Sequence, residues 1–134
     1  MMNREDGLLP ATKVLIVDDE SGIRMILGRL LRSLNLDVYF AANGLEGLEQ
    51  ARRVLPDLVL LDMNMPMMGG LSMCHALKSS AETARIPVVF ISGEGKLGPV
   101  EDAMSEGAAG YILKPFDLGR VSAKILEVLG KRAA

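Results

Sequence analysis

Val14-Leu15-Ile16-Val17-Asp18-Asp19 (14–19) is a run of four apolar residues closed by two carboxylates, and its pattern returns along the chain. Leu58-Val59-Leu60-Leu61 ends on Asp62, Val88-Val89-Phe90-Ile91 on Ser92-Gly93, and Gly110-Tyr111-Ile112-Leu113 on Lys114-Pro115. Short apolar runs without alternation read as strands covered on both faces of a sheet. Val38-Tyr39-Phe40-Ala41, β-branched and aromatic, supplies a fifth. Between these runs lie amphipathic stretches. From Glu20 to Leu34, Ile23, Ile26, Leu27, Leu30 and Leu34 recur at spacings of three and four, with Arg24, Arg29 and Arg32 mostly between them. Asn43, with Glu46 three positions on, opens a helix over 45–53. Further helices are expected over 71–79, within 93–107 with Gly98 and Pro99 at its start, and after Asp117, whose cap precedes Leu118, Val121, Ile125 and Leu129. Gly130 stands where a C-terminal cap is expected.

Five βα units thus fill the chain. Strands alternating with helices imply a parallel sheet with helices on both faces, and right-handed crossovers make it a doubly wound, three-layer α/β sandwich. Its 134 residues suit one domain, able to bury about two-thirds of its unfolded surface without metal or disulfide staples. Composition excludes several function classes. The net charge is −2 and there are only five aromatics, so neither a basic footprint for duplex nucleic acid nor a stacking platform for single strands is present. A single cysteine, Cys74, rules out an intramolecular disulfide or a CxxC site. No apolar run approaches the roughly 18–20 residues that span a bilayer, and residues 1–12 lack the apolar stretch of a signal peptide. A reducing, cytoplasmic setting without membrane attachment is the expectation.

The polar residues closing the strands carry the chemistry. All strand C-termini of a parallel sheet share one edge, where ligands of open α/β sheets bind beside the point of strand reversal. In the order 2-1-3-4-5, strands one and three flank that point, so Asp18, Asp19 and Asp62 converge, with Ser92 and Lys114 arriving from the neighbouring strands. Each alone has a plainer reading as a turn or cap residue; four matched strand ends together do not. Three clustered carboxylates repel one another, and a divalent cation with all-oxygen ligation, Mg²⁺ above zinc or copper, removes the conflict. Room remains for a phosphoryl group, with Lys114 and Ser92 for its oxygens and Asp62 as a carboxylate nucleophile.

These stretches resemble the receiver domain of two-component response regulators: V-L-I-V-D-D-E (14–20), L-V-L-L-D-M-N-M-P-M-M-G-G (58–70), V-V-F-I-S-G (88–93) and G-A-A-G-Y-I-L-K-P-F (107–116). The resemblance implies a flavodoxin-like fold over 12–130, with 1–11 as an N-terminal tail. No output domain follows in this chain, and a stand-alone receiver is favoured over the first domain of a longer protein. It also implies site roles. Asp62 is the phosphoacceptor; Asp19, Asp62 and the backbone carbonyl of Asn64 hold Mg²⁺, with Asp18 acting through water and Mn²⁺ able to substitute. Lys114 contacts the phosphoryl group, Ser92 is the switch hydroxyl, Tyr111 the switch aromatic, and the Lys114–Pro115 bond is cis. Asn64 and Glu94, the pair also found in the chemotaxis receiver, tune the lifetime of the phosphoryl group. The fourth helix, fifth strand and fifth helix form the partner surface, with Val100, Met104 and Tyr111 as contacts. Partners are a sensor histidine kinase or histidine phosphotransfer protein and an unidentified downstream protein. A Mg²⁺-dependent aspartyl-phosphate phosphohydrolase is the competing class, but its D-x-D after the first strand and its substrate cap are missing. A phosphorylation-independent interaction module would not need the acid pocket. The remaining features read as structural: His75 lacks ligand partners in sequence, the methionines at 63, 67 and 68 fill gaps beneath a loop, and Gly95-Lys96 fails as a P-loop.

Overall fold

The computed structural model describes residues 11–93 and 97–133. Five strands, β1 (Lys13–Val17), β2 (Asp37–Ala41), β3 (Leu58–Asp62), β4 (Val88–Ser92) and β5 (Gly110–Leu113), form one sheet in the order β2-β1-β3-β4-β5. Every pairing is parallel, with Val14 opposite Val38 and Leu58, Leu60 opposite Val89, and Phe90 opposite Tyr111. The crossovers are α1 (Ser21–Ser33), α2 (Gly44–Val54), α3 (Gly70–Lys78) and α4 (Leu97–Ser105), and α5 (Leu118–Ala133) follows β5. The fold is therefore the flavodoxin-like (βα)5 sandwich.

Side chains alternate across the pleat, so each strand feeds two cores. Leu15, Val17, Val59, Leu61, Val88 and Phe90 pack with Leu48 and Ala51 of α2, Met73 and Leu77 of α3, and Ala103 of α4. On the other face Ile16, Leu60 and Ile91 meet Leu27 and Leu31 of α1 and Val121 and Ile125 of α5. The three central strands are buried throughout β3 and β4 and nearly so in β1, which is why their sequences run continuously apolar.

Side-chain caps fix the starts of α2 and α5, whereas α1 and α3 begin without one. The Asn43 side chain accepts from the Glu46 amide at 2.9 Å while Glu46 reaches back to the Ala42 amide at 3.0 Å. Asp117 Oδ1 accepts from the Arg120 amide at 2.7 Å. Pro99 falls in the first turn of α4, where its missing amide costs no hydrogen bond. Gly130 corrects the expected end of α5: the helix runs through it to Ala133. Its φ is not left-handed and nothing stands within 4 Å of where its Cβ would be, so it has no capping geometry. Leu55 closes α2 instead of a glycine, in the left-handed conformation at φ 52°. No helix among the described residues is long and apolar enough to cross a membrane.

Candidate functional site

The C-terminal edge of the sheet gathers the polar residues. β3 and β4 each run one residue past their apolar stretch, so Asp62 and Ser92 are the last paired residues of their strands, opposite Ile91 and Leu113. Both sit on rigid backbone. Asp18 follows β1 at once, its amide donating to the Ala41 carbonyl at 3.1 Å, and Lys114 follows β5, its amide donating to the Ser92 carbonyl at 2.7 Å. The chain then has to leave Asp62 sharply so that α3 can begin against it. Gly70 permits this: a Cβ there would stand 2.4 Å from the Asp62 carbonyl oxygen. Met67 takes a left-handed φ of 69° in the same loop, and the Lys114–Pro115 bond is cis.

Asp18, Asp62 and Ser92 are buried, with 1%, 3% and 0% of their surface exposed, whereas Asp19, Glu20 and Asn64 are exposed. Asp18 Oδ1 accepts from the Glu20 amide at 2.9 Å, but its Oδ2 has no hydrogen-bond partner among the described residues. The Ser92 hydroxyl has none either. Lys114 Nζ stands 3.7 Å from Asp62 Oδ1, an ion pair too long to be a hydrogen bond. The Asn64 amide approaches the same oxygen at 3.4 Å.

Burial first, and then the nearby charge of Asp18, push the Asp62 carboxyl up to about 6 against the pull of Lys114. Burial also raises Asp18, opposed by its bond from the Glu20 amide. These are carboxylates held in a place that disfavours their charge. One carboxylate oxygen from each of Asp18, Asp19 and Glu20 lies within 4.8 Å of the others. An all-oxygen donor set, a buried oxygen on Asp18 without a partner among the described residues and clustered negative charge that Lys114 offsets only in part fit a hard divalent cation. Glu20 belongs to this cluster although its sequence position reads only as a helix start; its adjacency to Asp18-Asp19 is the available signal.

Tyr111 is placed elsewhere. It is 39% exposed and, with Met104, Gly110, Arg120 and Lys124, lines a groove of about 250 Å³ between α4, β5 and α5. Val100 is half-buried on α4. Glu94 lies outside the described residues. His75 is tied to Glu106, Nδ1 to Oε1 at 2.9 Å, which joins α3 to the end of α4 and supports its structural reading.

The response regulator receiver domain family profile matches residues 14–126. Sporulation initiation phosphotransferase F of Bacillus subtilis is 36% identical over 109 residues, which cover 81% of this chain and 86% of that protein. The transcriptional regulatory protein PrrA of Mycobacterium leprae is 34% identical over 129 residues, covering 96% of this chain but 54% of the regulator; the chain thus spans about half the length of such relatives. Among solved structures, the chemotaxis protein CheY4 of Vibrio cholerae superposes with a TM-score of 0.84 at 28% identity, covering 89% of this chain and 99% of CheY4. A receiver domain from Clostridium thermocellum superposes equally well, at 0.84 and 30% identity over 91% of this chain and 97% of that one. Buried acids at the strand ends, the β2-β1-β3-β4-β5 order and this kinship agree: the chain belongs to the response regulator receiver domains, the phosphorylation-controlled signalling switches of two-component systems.

Proposed function

We propose that Asp62 is the phosphoacceptor of this receiver and that it is charged by a histidine kinase or a histidine phosphotransfer protein. The observation that carries this is the placing of Asp62: buried at the end of β3, beside the charge of Asp18 and 3.7 Å from the ammonium of Lys114. A carboxylate so held is a poor ion but a positioned nucleophile. An Asp62 oxygen forms the new bond to phosphorus as the bond to the donor's imidazole nitrogen breaks, and that nitrogen leaves with the bonding pair. Lys114 offsets the charge of the transferring oxygens, and the unpartnered Ser92 hydroxyl donates to one of them. Asp19, with Asp62 and the carbonyl of Asn64, would hold Mg²⁺ and Asp18 would act on it through water; the ion supplies neutralisation of the phosphoryl oxygens when bound. Mn²⁺ would serve in its place.

Ser92 drawn toward the new phosphoryl group vacates space beside β5 that the ring of Tyr111 enters. The groove of α4, β5 and α5 then changes shape, and a downstream protein reads it through Val100, Met104 and Tyr111. Asn64 and Glu94, placed two residues beyond the phosphoacceptor and the switch hydroxyl, set how fast water reaches the acyl phosphate. The decisive experiment is intact-protein mass spectrometry after incubation with Mg²⁺ and acetyl phosphate. Wild type gains one phosphoryl group and Asp62→Ala gains none; equal labelling of both would refute the assignment.

A further inference from the structure

α1 and β2 build a second polar feature that phosphoryl chemistry does not use. Arg24, Met25, Arg29 and Arg32 of α1, with Phe40 of β2, line a groove of about 360 Å³. Its floor depends on Gly28: a Cβ there would stand 2.7 Å from Phe40 Cζ, so a larger residue would have to push the ring away from the helix. The Arg32 guanidinium stacks over the same ring, 5.4 Å from its centroid. Arg24 gives one N–H to the Asp18 carbonyl oxygen at 2.6 Å. Among the described residues none of the three arginines has a carboxylate partner. α1 itself contains no Asp or Glu, so Arg29 and Arg32, three residues apart on one face, repel each other with no acid on the helix to offset them.

The positive charge ends at the exposed carboxylates of Asp19 and Glu20, which stand before the first turn of α1. A long polyanion such as nucleic acid would leave the groove and meet these acids. A short segment meets only guanidinium forks and an apolar floor. Arginine forks match carboxylates in two-point hydrogen bonds, and Met25, 58% exposed, with the Phe40 ring offers contact for one apolar side chain between them.

We propose that the groove between α1 and β2 docks a short acidic segment of a partner protein, with aspartates or glutamates flanking an apolar residue. This site is separate from the α4, β5 and α5 face and does not depend on the role given to Asp62. The test is fluorescence anisotropy with a labelled short peptide of alternating glutamate and leucine. Saturable binding that weakens with salt is expected in wild type and, unchanged, in Asp62→Ala. Arg29→Gln and Arg32→Gln should each weaken binding at least about fivefold. The Arg52→Gln, Arg53→Gln double variant on α2 should bind as wild type does. Equal binding by the Arg29 and Arg32 variants would overturn the proposal. So would displacement of the peptide by oligothymidylate or inorganic phosphate at the peptide's own concentration. Tenfold tighter binding after deletion of residues 1–10 would overturn it too, by assigning the groove to the chain's own Glu5-Asp6 segment.

Discussion

Asp62 is the residue at which folding and the proposed function pull apart. Its carboxyl sits near 6 in the folded protein against an ordinary value of 3.8, chiefly because it is buried and secondarily because Asp18 is close. A raised carboxyl holds its proton longer in the folded state than in the unfolded chain. Stability therefore falls as pH rises from about 4 to about 6, and the full cost is present above that. A carboxyl raised that far costs the folded state roughly 3 kcal/mol once ionised, an upper bound for a group beside a cation. Without divalent metal at pH 8, Asp62→Asn should accordingly be about 1–3 kcal/mol more stable than wild type in urea unfolding. The gap should close as pH is lowered to about 4. An Asn variant no more stable than wild type at pH 8 would mean that the folded protein carries the Asp62 charge without cost, so that the carboxyl is not raised. Single residues also mark what a sequence exposes. Asp18, Asp19, Asp62, Ser92 and Lys114 are legible because topology alone carries strand ends to one edge. Glu20 is not, because its place in the cluster depends on how the chain turns after Asp18, with the Glu20 amide bonded to Asp18 Oδ1.

At the scale of elements, α3 and α5 show two opposite uses of glycine. α3 starts against the carbonyl of Asp62 because Gly70 has no side chain; a Cβ there would lie 2.4 Å from that oxygen and 3.0 Å from Met63 Cα. Backbone cannot yield as a flexible side chain can. Gly70→Ala should therefore cost about 2–3 kcal/mol, at the upper end for overpacking. It should also slow labelling by acetyl phosphate, because relief comes through movement of the Asp62 strand end. A variant with wild-type stability and labelling would show that α3 can slide. Gly130 is the reverse case, a solvent-facing helical glycine with open space around it. Gly130→Ala should stabilise the protein by roughly 0.5–1 kcal/mol through helix propensity, read as a higher thermal midpoint. Sequence pattern alone ends the helix at this glycine, because glycine is common past helix ends. The helix continues because Val128 is buried and Leu129 packs on the same core, which holds the turn that Gly130 extends. The groove between α1 and β2 is equally illegible in sequence. Its arginines fit the polar side of a half-buried helix, and only the approach of Phe40 to Gly28 turns that side into a concave surface.

The molecule as a whole is two apolar cores on either side of a sheet, with its charge problem confined to one edge. Leu15, Leu61 and Phe90 face one core while Ile16, Leu60 and Ile91 face the other, so the three strands that carry Asp18, Asp62 and Ser92 are clamped from both sides. That packing keeps the carboxylates together despite their repulsion, and it is why five apolar runs in sequence suffice to place these polar residues at one edge. A cation that binds only the assembled edge must then stabilise the entire fold by mass action, since the unfolded chain cannot gather Asp18, Asp19 and Asp62. At pH 8 and about a hundredfold above its dissociation constant, Mg²⁺ should add about 2.7 kcal/mol. For a chain of this size that is a rise of roughly 10 °C in thermal midpoint. At pH 5 Asp62 is mostly protonated in the folded protein and must lose that proton to bind, so affinity falls by about tenfold per pH unit below 6. The thermal shift at the same Mg²⁺ concentration should shrink accordingly, and Asp18→Asn should diminish it at pH 8. A shift that is equal at pH 5 and pH 8, or intact in an Asp18→Asn, Asp62→Asn double variant, would place the stabilising ion away from this edge.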